Sequence, residues 1–389
     1  MTEIRITVVN ESSAGGIALT PVWAAFHDGS FDLFDVGGTA DAGLEALAED
    51  GNFGPANGEL LTADADAQAE VVFGPRGPLL AGDVGAINVD VDGVSNGYLS
   101  LGAMILPSND AFIGNDDAIR LFDDAGEFLG TRVLEFDGTD IYDAGTEVNT
   151  EEDAAFLNQT APNTGVDENG TIGLHPGFNG SLGNPIGEGD QNILGGTNAF
   201  GQTIDPEAAD FTQPDYDVAT IRIAEVNRFE GGDGRDRFFG TSKDDVVNLG
   251  DGNDIAFGRS GYDELSGGDG NDKLFGGRGV DFLNGGGDDD LLFGGRDQDV
   301  LNGGEGDDIL KGGQDADLFI YNGGHDRILD LDLDEGDRIL LDVEGVETFA
   351  DVEIDQAGGK AVFDFGEIGS LTVLGTQASD LVAETVIVA

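Results

Sequence analysis

Stepping by nine residues from Asp236 meets an aspartate every time: Asp236, Asp245, Asp254, Asp263, Asp272, Asp281, Asp290, Asp299, Asp308, Asp317 and Asp326. Each closes a glycine-rich hexad such as GGDGRD at 231–236, and the first position of the register is Gly in nine of the eleven turns. Glycine reaches left-handed and tightly turned conformations, so such hexads form turns whose carbonyls point toward a common centre. A row of bare carboxylates at this spacing would repel. An oxygen-preferring cation is therefore expected between neighbouring turns, and the hard ion Ca²⁺ suits carboxylate and carbonyl donors. If each ion sits between turns two apart, the array holds roughly nine. Lys243, Asp288, Asp297 and Asp315 replace the Gly otherwise found at the fourth position, and TSKDD at 241–245 is a weak turn, so sites there are expected to be empty or distorted.

What positions the carboxylates is the triplet that follows each. Two residues after every aspartate comes Phe238, Val247, Ala256, Leu265, Leu274, Leu283, Leu292, Leu301, Leu310, Phe319 or Ile328, apolar without exception. Three extended residues with one inward apolar side chain make a minimal strand, and a coil of two turns and two strands stacks on the next to share a thin core. These lines resemble the RTX (repeats-in-toxin) family, whose GGxGxDxUx repeat forms a parallel β-roll with calcium in its turns. The resemblance implies type I secretion, folding triggered by extracellular calcium and an uncleaved C-terminal export signal. The ions are expected to fold the roll and to do no further chemistry. Residues 331–389 leave the period but keep strand-like stretches, AVFDF at 361–365 and SLTVL at 370–374, as expected of a β cap. The terminal ETVIVA reads either as an export signal or as a last strand.

Residues 1–228 show a different pattern, with short strands at 6–9, 17–26, 70–73, 86–91, 98–106 and 218–226 punctuated by Gly and Asn. Such spacing predicts an antiparallel β-sandwich. One helix is predicted at 40–50, ADAGLEALAED, with Leu44, Leu47 and Ala48 at helical spacing and an Asp-Gly stop. Residues 148–216 read as extended loops. The chain is thus expected to be all-β, in three parts: 1–228 the sandwich, 229–330 the calcium-bound parallel β-roll, and 331–389 the β cap with its possible secretion signal.

Acidic clusters fall at strand ends: NVDVDG at 88–93, PSNDAFIGND at 107–116 and YDAGTE at 142–147, where Gly145 permits a turn that can bring Asp143 and Glu147 onto one cation. Ordinary turn aspartates are the alternative for any one cluster. Together LTPVWAAFHDG, GLEALAEDGN, LSLGAMILPSNDAFIGNDD and YDAGTE resemble the spondin N-terminal domain of F-spondin and mindin over residues 4–226. That family binds one calcium through loop carboxylates of SPDWFVG and DAGTDSG and one on the preceding strand. The resemblance implies Asp110, Asp143 and Glu147 as ligands, with Asp90 as the strand acid and Asp92 its alternative. Here Glu replaces the final Asp and Asn109 replaces Pro, which alters the reach of the site. The family's cysteines are missing, so no disulfide is shared.

Composition narrows the function further. Seventeen Lys and Arg against 78 Asp and Glu give a formal charge of −61, which repels phosphate backbones and anionic lipid, so nucleic acid is excluded as a partner. No Cys means no thiolate metal site. The first thirteen residues lack the basic and apolar regions of a cleaved signal peptide, and no run is long enough to span a membrane.

Catalysis has little support in the chain. There is no HExxH, and only His27, His175 and His325 are present. Gly93-Val94-Ser95-Asn96-Gly97 fits a serine-hydrolase pattern but lies between two predicted strands, where a nucleophile elbow needs strand then helix. It is expected to be a hairpin turn, and His27 and His175 to be surface-loop histidines. The reading is a secreted, extracellular, non-enzymatic calcium-binding protein that acts as an adhesive or matrix-binding module. Its partners are calcium, the type I secretion machinery and an extracellular glycan, protein or surface ligand. A carbohydrate-active hydrolase with a site at 148–216 is the rival, and a self-associating surface-layer or biofilm protein is a third possibility.

Overall fold

The computed structural model describes residues 1–13, 16–75, 77–106, 111–144, 171–174, 209, 211, 216–382 and 385–388. They fall into two compact units, Met1–Glu225 and Val226–Ala389. Both are built on strands, and the expected all-β architecture holds, with an antiparallel first unit and a parallel second one.

In the first unit the strands are β1 (Thr2–Asn10), β2 (Ala18–Leu19), β3 (Val22–His27), β4 (Gln68–Val72), β5 (Val84–Val91), β6 (Tyr98–Leu106), β7 (Ala111–Gly114), β8 (Ile119–Arg120), β9 (Arg132–Asp137), β10 (Tyr142–Asp143), β11 (Gly173–Leu174) and the start of β12 (Asp217–Gly232). One antiparallel sheet runs β5-β1-β12-β9 and the other β11-β10-β7-β6-β3-β4. Alternate side chains of the two sheets meet in a shared core: Ile4, Ile6, Val8, Ile221 and Ile223 from the first, Ala24, Phe26, Leu99, Leu101 and Ile105 from the second.

The far face of the second sheet carries Trp23, Ala25 and Phe112, and two helices cover it through Leu44, Leu47 and Leu60. The predicted helix is α1 (Ala42–Asp50), capped by the Asp41 side chain on the N–H of Leu44 and ended by Gly51 at φ +60°. The second, α2 (Gly54–Ala63), was not expected. It carries Pro55 in its first turn and buries Ala56 and Leu60, too sparse an apolar stripe to betray it.

In the second unit the roll strands are β13 (Arg237–Phe239), β14 (Asp244–Asp251), β15 (Ile255–Phe257), β16 (Glu264–Asp269), β17 (Lys273–Arg278), β18 (Phe282–Gly287), β19 (Leu291–Arg296), β20 (Val300–Glu305), β21 (Ile309–Gln314), β22 (Leu318–Tyr321), β23 (Gly324–Ile328) and β24 (Arg338–Leu341). Odd-numbered strands pair in parallel with odd and even with even, and partners such as Leu274 and Leu292 lie 18 residues apart, two nonapeptides to the coil. All eleven predicted inward residues are buried in one continuous core. On the outside of the odd-numbered sheet, Phe239, Phe257, Phe275 and Phe293 stack with centroids 4.7–5.4 Å apart.

The segment expected to cap the roll does so by extending both of its sheets. Strand β27 (Gly369–Leu374) adds in parallel to β23, followed antiparallel by β26 (Lys360–Asp364) and β25 (Ile354–Gln356). Strand β28 (Val386–Val388), from the terminal ETVIVA, adds in parallel to β24. Tyr321 and Phe365 stack at this end, with ring centroids 5.0 Å apart.

Candidate metal centre

Every ladder aspartate from Asp245 to Asp326 is at most 3% exposed. The arrangement of each is set by the coil two nonapeptides away. The backbone N–H of Asp254 donates to Oδ1 of Asp272 at 2.7 Å, that of Asp263 to Asp281 at 2.8 Å, and that of Asp290 to Asp308 at 2.8 Å. The same bond joins Asp236 to Asp254, Asp245 to Asp263 and Asp299 to Asp317. One oxygen of each carboxylate is thereby fixed. The other oxygen, Oδ2, of Asp254, Asp272, Asp290, Asp299, Asp308, Asp317 and Asp326 is buried with no hydrogen-bond partner.

The first-position glycines show where these oxygens go. A Cβ added at Gly267, Gly285 or Gly303 would collide with Oδ2 of Asp272, Asp290 or Asp308, and at Gly267 and Gly285 also with a carbonyl oxygen of the next coil. Carboxylate and carbonyl oxygens thus converge on a space that only glycine leaves open. This is a donor set for a hard cation. Three of the substituted fourth positions, Asp288, Asp297 and Asp315, keep the left-handed backbone at φ +68° to +72°, as does Arg259 at φ +78°. The turns there hold the shape of a glycine turn at a conformational cost that Asp tolerates better than most residues.

Burial without a counter-ion is electrostatically costly. Desolvation raises Asp272 and Asp308 to about 6 and Asp290, Asp317 and Asp326 to about 8. Asp299 is raised as well, by burial and by repulsion from Asp281 and Asp317 on either side of it. A divalent cation removes that penalty directly. Among the described residues no three carboxylate or imidazole side chains gather at one point. In a roll this is expected, because each position supplies one or two carboxylate oxygens and the turn backbone must supply the remainder.

The ends of the ladder differ from its middle. Oδ2 of Asp236 accepts the N–H of Gly232 at 3.0 Å, and Oδ2 of Asp245 accepts that of Thr241 at 2.9 Å. Asn227 also donates to Oδ1 of Asp245 at 2.6 Å. At the other end Asp337, which the nine-residue count passes over, takes the N–H of Asp317 at 2.8 Å and that of Asp332 at 2.8 Å. It lies 20 residues after Asp317 because the chain carries two extra residues there, and an aspartate two residues before the apolar run Ile339-Leu340-Leu341 was the available signal.

The proposed N-terminal ligands are only partly placed. Asp110 and Glu147 lie outside the described residues. Asp143 sits on β10 opposite Ala111 and Gly173, in the second sheet. Asp90 is exposed on β5 of the first sheet, opposite Glu3, and Asp92 follows directly after that strand.

Two expectations about catalytic groups are corrected. His27 is not a loop residue: it is fully buried on β3, with Nε2 at 3.1 Å from the Ser100 hydroxyl and Nδ1 accepting the N–H of Gly29 at 3.1 Å. Desolvation lowers its pKa against the pull of Asp28 and Asp64. The alternation that places Trp23 and Ala25 toward the helices sets His27 on that same face, beside Phe31 at 5.7 Å. Gly93–Gly97 is not a hairpin turn either, because β5 and β6 belong to different sheets and the turn carries the chain from one to the other. His175 lies outside the described residues.

Comparison with known proteins places both halves. Residues 15–168 match the Spondin_N family, and residues 230–265, 266–301 and 293–328 match the RTX calcium-binding nonapeptide repeat. The chain therefore carries a Spondin_N domain followed by calcium-binding RTX repeats. No curated protein matches the sequence. Among solved structures the chain is similar to the extracellular lipase LipA from Serratia marcescens, at 20% identity over 39% of this chain and 40% of that one, with a TM-score of 0.23. It is also similar to the AlgE6R2 subunit from the Azotobacter vinelandii mannuronan C5-epimerase, at 20% identity over 42% of this chain and 93% of that one, again with a TM-score of 0.23. The chain thus spans less than half of the lipase. No helix among the described residues is long and apolar enough to cross a membrane.

Proposed function

We propose that this chain is a secreted adhesive protein: a spondin-type binding domain followed by a roll that folds when calcium fills it, with no catalysis of its own. The observation that carries the calcium part is the row of buried carboxylate oxygens without hydrogen-bond partners, at Asp254, Asp272, Asp290, Asp299, Asp308, Asp317 and Asp326. Water cannot reach them and no hydrogen-bond donor meets them, so cations are what makes the folded row tolerable at neutral pH. Calcium supplies charge and oxygen coordination when bound. The protein's residues position one carboxylate oxygen through a backbone N–H and aim the other into the turn.

With the end aspartates satisfied by backbone N–H groups, the middle of the ladder is where ions bind, close to the roughly nine expected from the repeat count. Export by a type I system in the calcium-free, unfolded form and folding outside the cell follow from such dependence. The N-terminal unit, in this reading, holds one further ion through Asp110, Asp143 and Glu147, without Asp90, which faces outward on the edge strand of the other sheet, and binds an extracellular glycan, protein or surface.

Calcium titration of the full chain by calorimetry and far-ultraviolet circular dichroism tests the roll. Cooperative gain of β-structure with many ions per chain is expected, and no response to calcium would overturn it. Asp143→Asn tests the N-terminal ion: the stoichiometry should fall by about one. Adhesion is tested by retention of calcium-loaded chain on immobilised extracellular glycans and matrix proteins, and retention on none of them would count against it.

A further inference from the structure

In seven consecutive turns the first-position glycine is required by the aspartate that closes the same turn. At Gly258, Gly267, Gly276, Gly285, Gly294, Gly303 and Gly312 the place a Cβ would take is already held by Oδ2 of that aspartate. The two earlier glycine turns use this oxygen differently, since Oδ2 of Asp236 and of Asp245 accepts a backbone N–H within the turn. Two turns have no glycine there: Leu249 begins the turn immediately before the seven, and Tyr321 the turn immediately after them. Both side chains are buried in the core of the roll. A Cβ at this position excludes the carboxylate from the place it takes in the other turns, and both aspartates have turned aside. At the fourth position of the same two turns, a Cβ on Gly252 would stand 2.7 Å from Oδ1 of Asp254, and one on Gly324 3.3 Å from Oδ1 of Asp326. At Gly261, Gly270, Gly279 and Gly306, fourth positions of turns that begin with glycine, the nearest atoms belong to the preceding coil instead. Tyr321 also donates its hydroxyl to the carbonyl of Gly324 at 3.0 Å, occupying an oxygen of the turn with a proton donor.

We infer that Leu249 and Tyr321 are the stops of the calcium row: ions load only the seven turns from Gly258 to Asp317, and a side chain closes the turn on either side to metal. This inference rests on the calcium-filled roll proposed above. The two stops replace an ion with apolar burial, Leu249 in the core and Tyr321 in the core and against Phe365. Asp254 and Asp326 each remain bonded to the aspartate of a filled turn, Asp272 and Asp308. The ions of the row therefore offset their charge from one coil away. Beyond the stops, the outermost turns are closed by backbone N–H groups, those of Gly232 and Thr241 at one end and of Asp332 at the other. The roll thus has a calcium-dependent middle between metal-free ends, and two residue identities set the length of the row. Oδ2 of Asp254 and of Asp326 is still buried and without a donor, so removing a stop should be enough to open a site.

The test counts, by native mass spectrometry, the calcium ions that the full chain retains through buffer exchange. An Asp143→Asn background takes the ion proposed for the first unit out of the count, and there the chain should keep seven, one for each open turn. Adding Tyr321→Gly or Leu249→Gly should raise the count by one. Tyr321→Phe and Leu249→Ala, which keep a Cβ, should leave it unchanged. Circular dichroism with calcium checks that each variant is folded. If Leu249→Gly does not fold, because of the cavity it leaves in the core, Tyr321→Gly and the parent count decide. A parent chain that keeps roughly nine ions, as the repeat count alone implies, overturns the proposal, as do folded glycine variants that gain none. A chain that neither retains calcium nor gains β-structure with it overturns the calcium reading itself, and the proposal with it.

Discussion

The backbone N–H of Asp272 donates to Oδ1 of Asp290 at 2.7 Å, while Oδ2 of Asp290, buried in the same turn, meets no donor. One oxygen is thus used to hold successive coils together and the other is held open, so a single residue couples the packing of the roll to its ion.

Asp290→Asn separates these two roles. The amide keeps an acceptor for the N–H of Asp272 and loses the charge and the second oxygen. With calcium, the variant should bind one or two fewer ions and need more calcium to fold. Without calcium it should be more stable than wild type, because a buried carboxylate raised to about 8 is replaced by a neutral group. Thermal melts with calcium and with chelator check both directions.

Calcium-free stability should fall as pH rises. The ladder carboxylates are raised to about 6 at Asp272 and Asp308 and about 8 at Asp290, Asp317 and Asp326, above an unfolded value of about 4. The folded roll therefore holds protons that the unfolded chain releases, and this stabilising contribution is complete below about 4 and lost as pH climbs through about 6 to 8. Calcium competes with those protons, so its affinity should rise over the same interval. Circular dichroism in chelator at pH 4, 6 and 8 reads the first effect and calorimetric titration the second.

Gly285→Ala and Gly287→Ala, two residues apart, should behave differently. A Cβ at 285 would overlap Oδ2 of Asp290 and the carbonyl of Gly303, whereas at 287 the nearest atom is Oδ1 of Asp269 at 3.6 Å. The first should cost about 1–3 kcal/mol and an ion, as overpacking does. The second should leave calcium stoichiometry unchanged, and equal losses from both would show that the glycines serve backbone freedom alone.

His27→Ala should destabilise the first unit by roughly 1–3 kcal/mol, because the buried Ser100 hydroxyl and the Gly29 N–H both lose their partner. Wild-type His27 is held neutral by burial, so the unfolded chain takes up a proton there that the folded one does not. The unit's stability should decline as pH drops below the unfolded value of about 6.5, and the variant should lack that decline in chemical denaturation curves.

The roll was legible because its period ties chemistry to geometry: the residue two after each aspartate is apolar in every turn, and Leu274, Leu283 and Leu292 are buried as that pattern requires. Asp337 escaped because two added residues shift it out of the count. In the first unit the strands were visible as short stretches punctuated by Gly and Asn, and α1 in the helical spacing of Leu44, Leu47 and Ala48 and its Asp50-Gly51 stop. Helix α2 was hidden because only Ala56 and Leu60 are buried along it. His27 misled for a related reason. Polar residues next to Asp28 and Gly29 suggest a loop, yet the strand continues through it and its ring is satisfied from within the sheet by Ser100.

The 18-residue offset has an evolutionary corollary. Since Leu274 pairs with Leu292 as Leu292 pairs with Leu310, duplicating or excising one such segment joins like to like and leaves the C-terminal cap meeting the same neighbour as before. The gene can therefore lengthen or shorten this part of the protein in whole steps without redesigning anything else, and the number of ions, the reach of the roll and its charge scale together with each step.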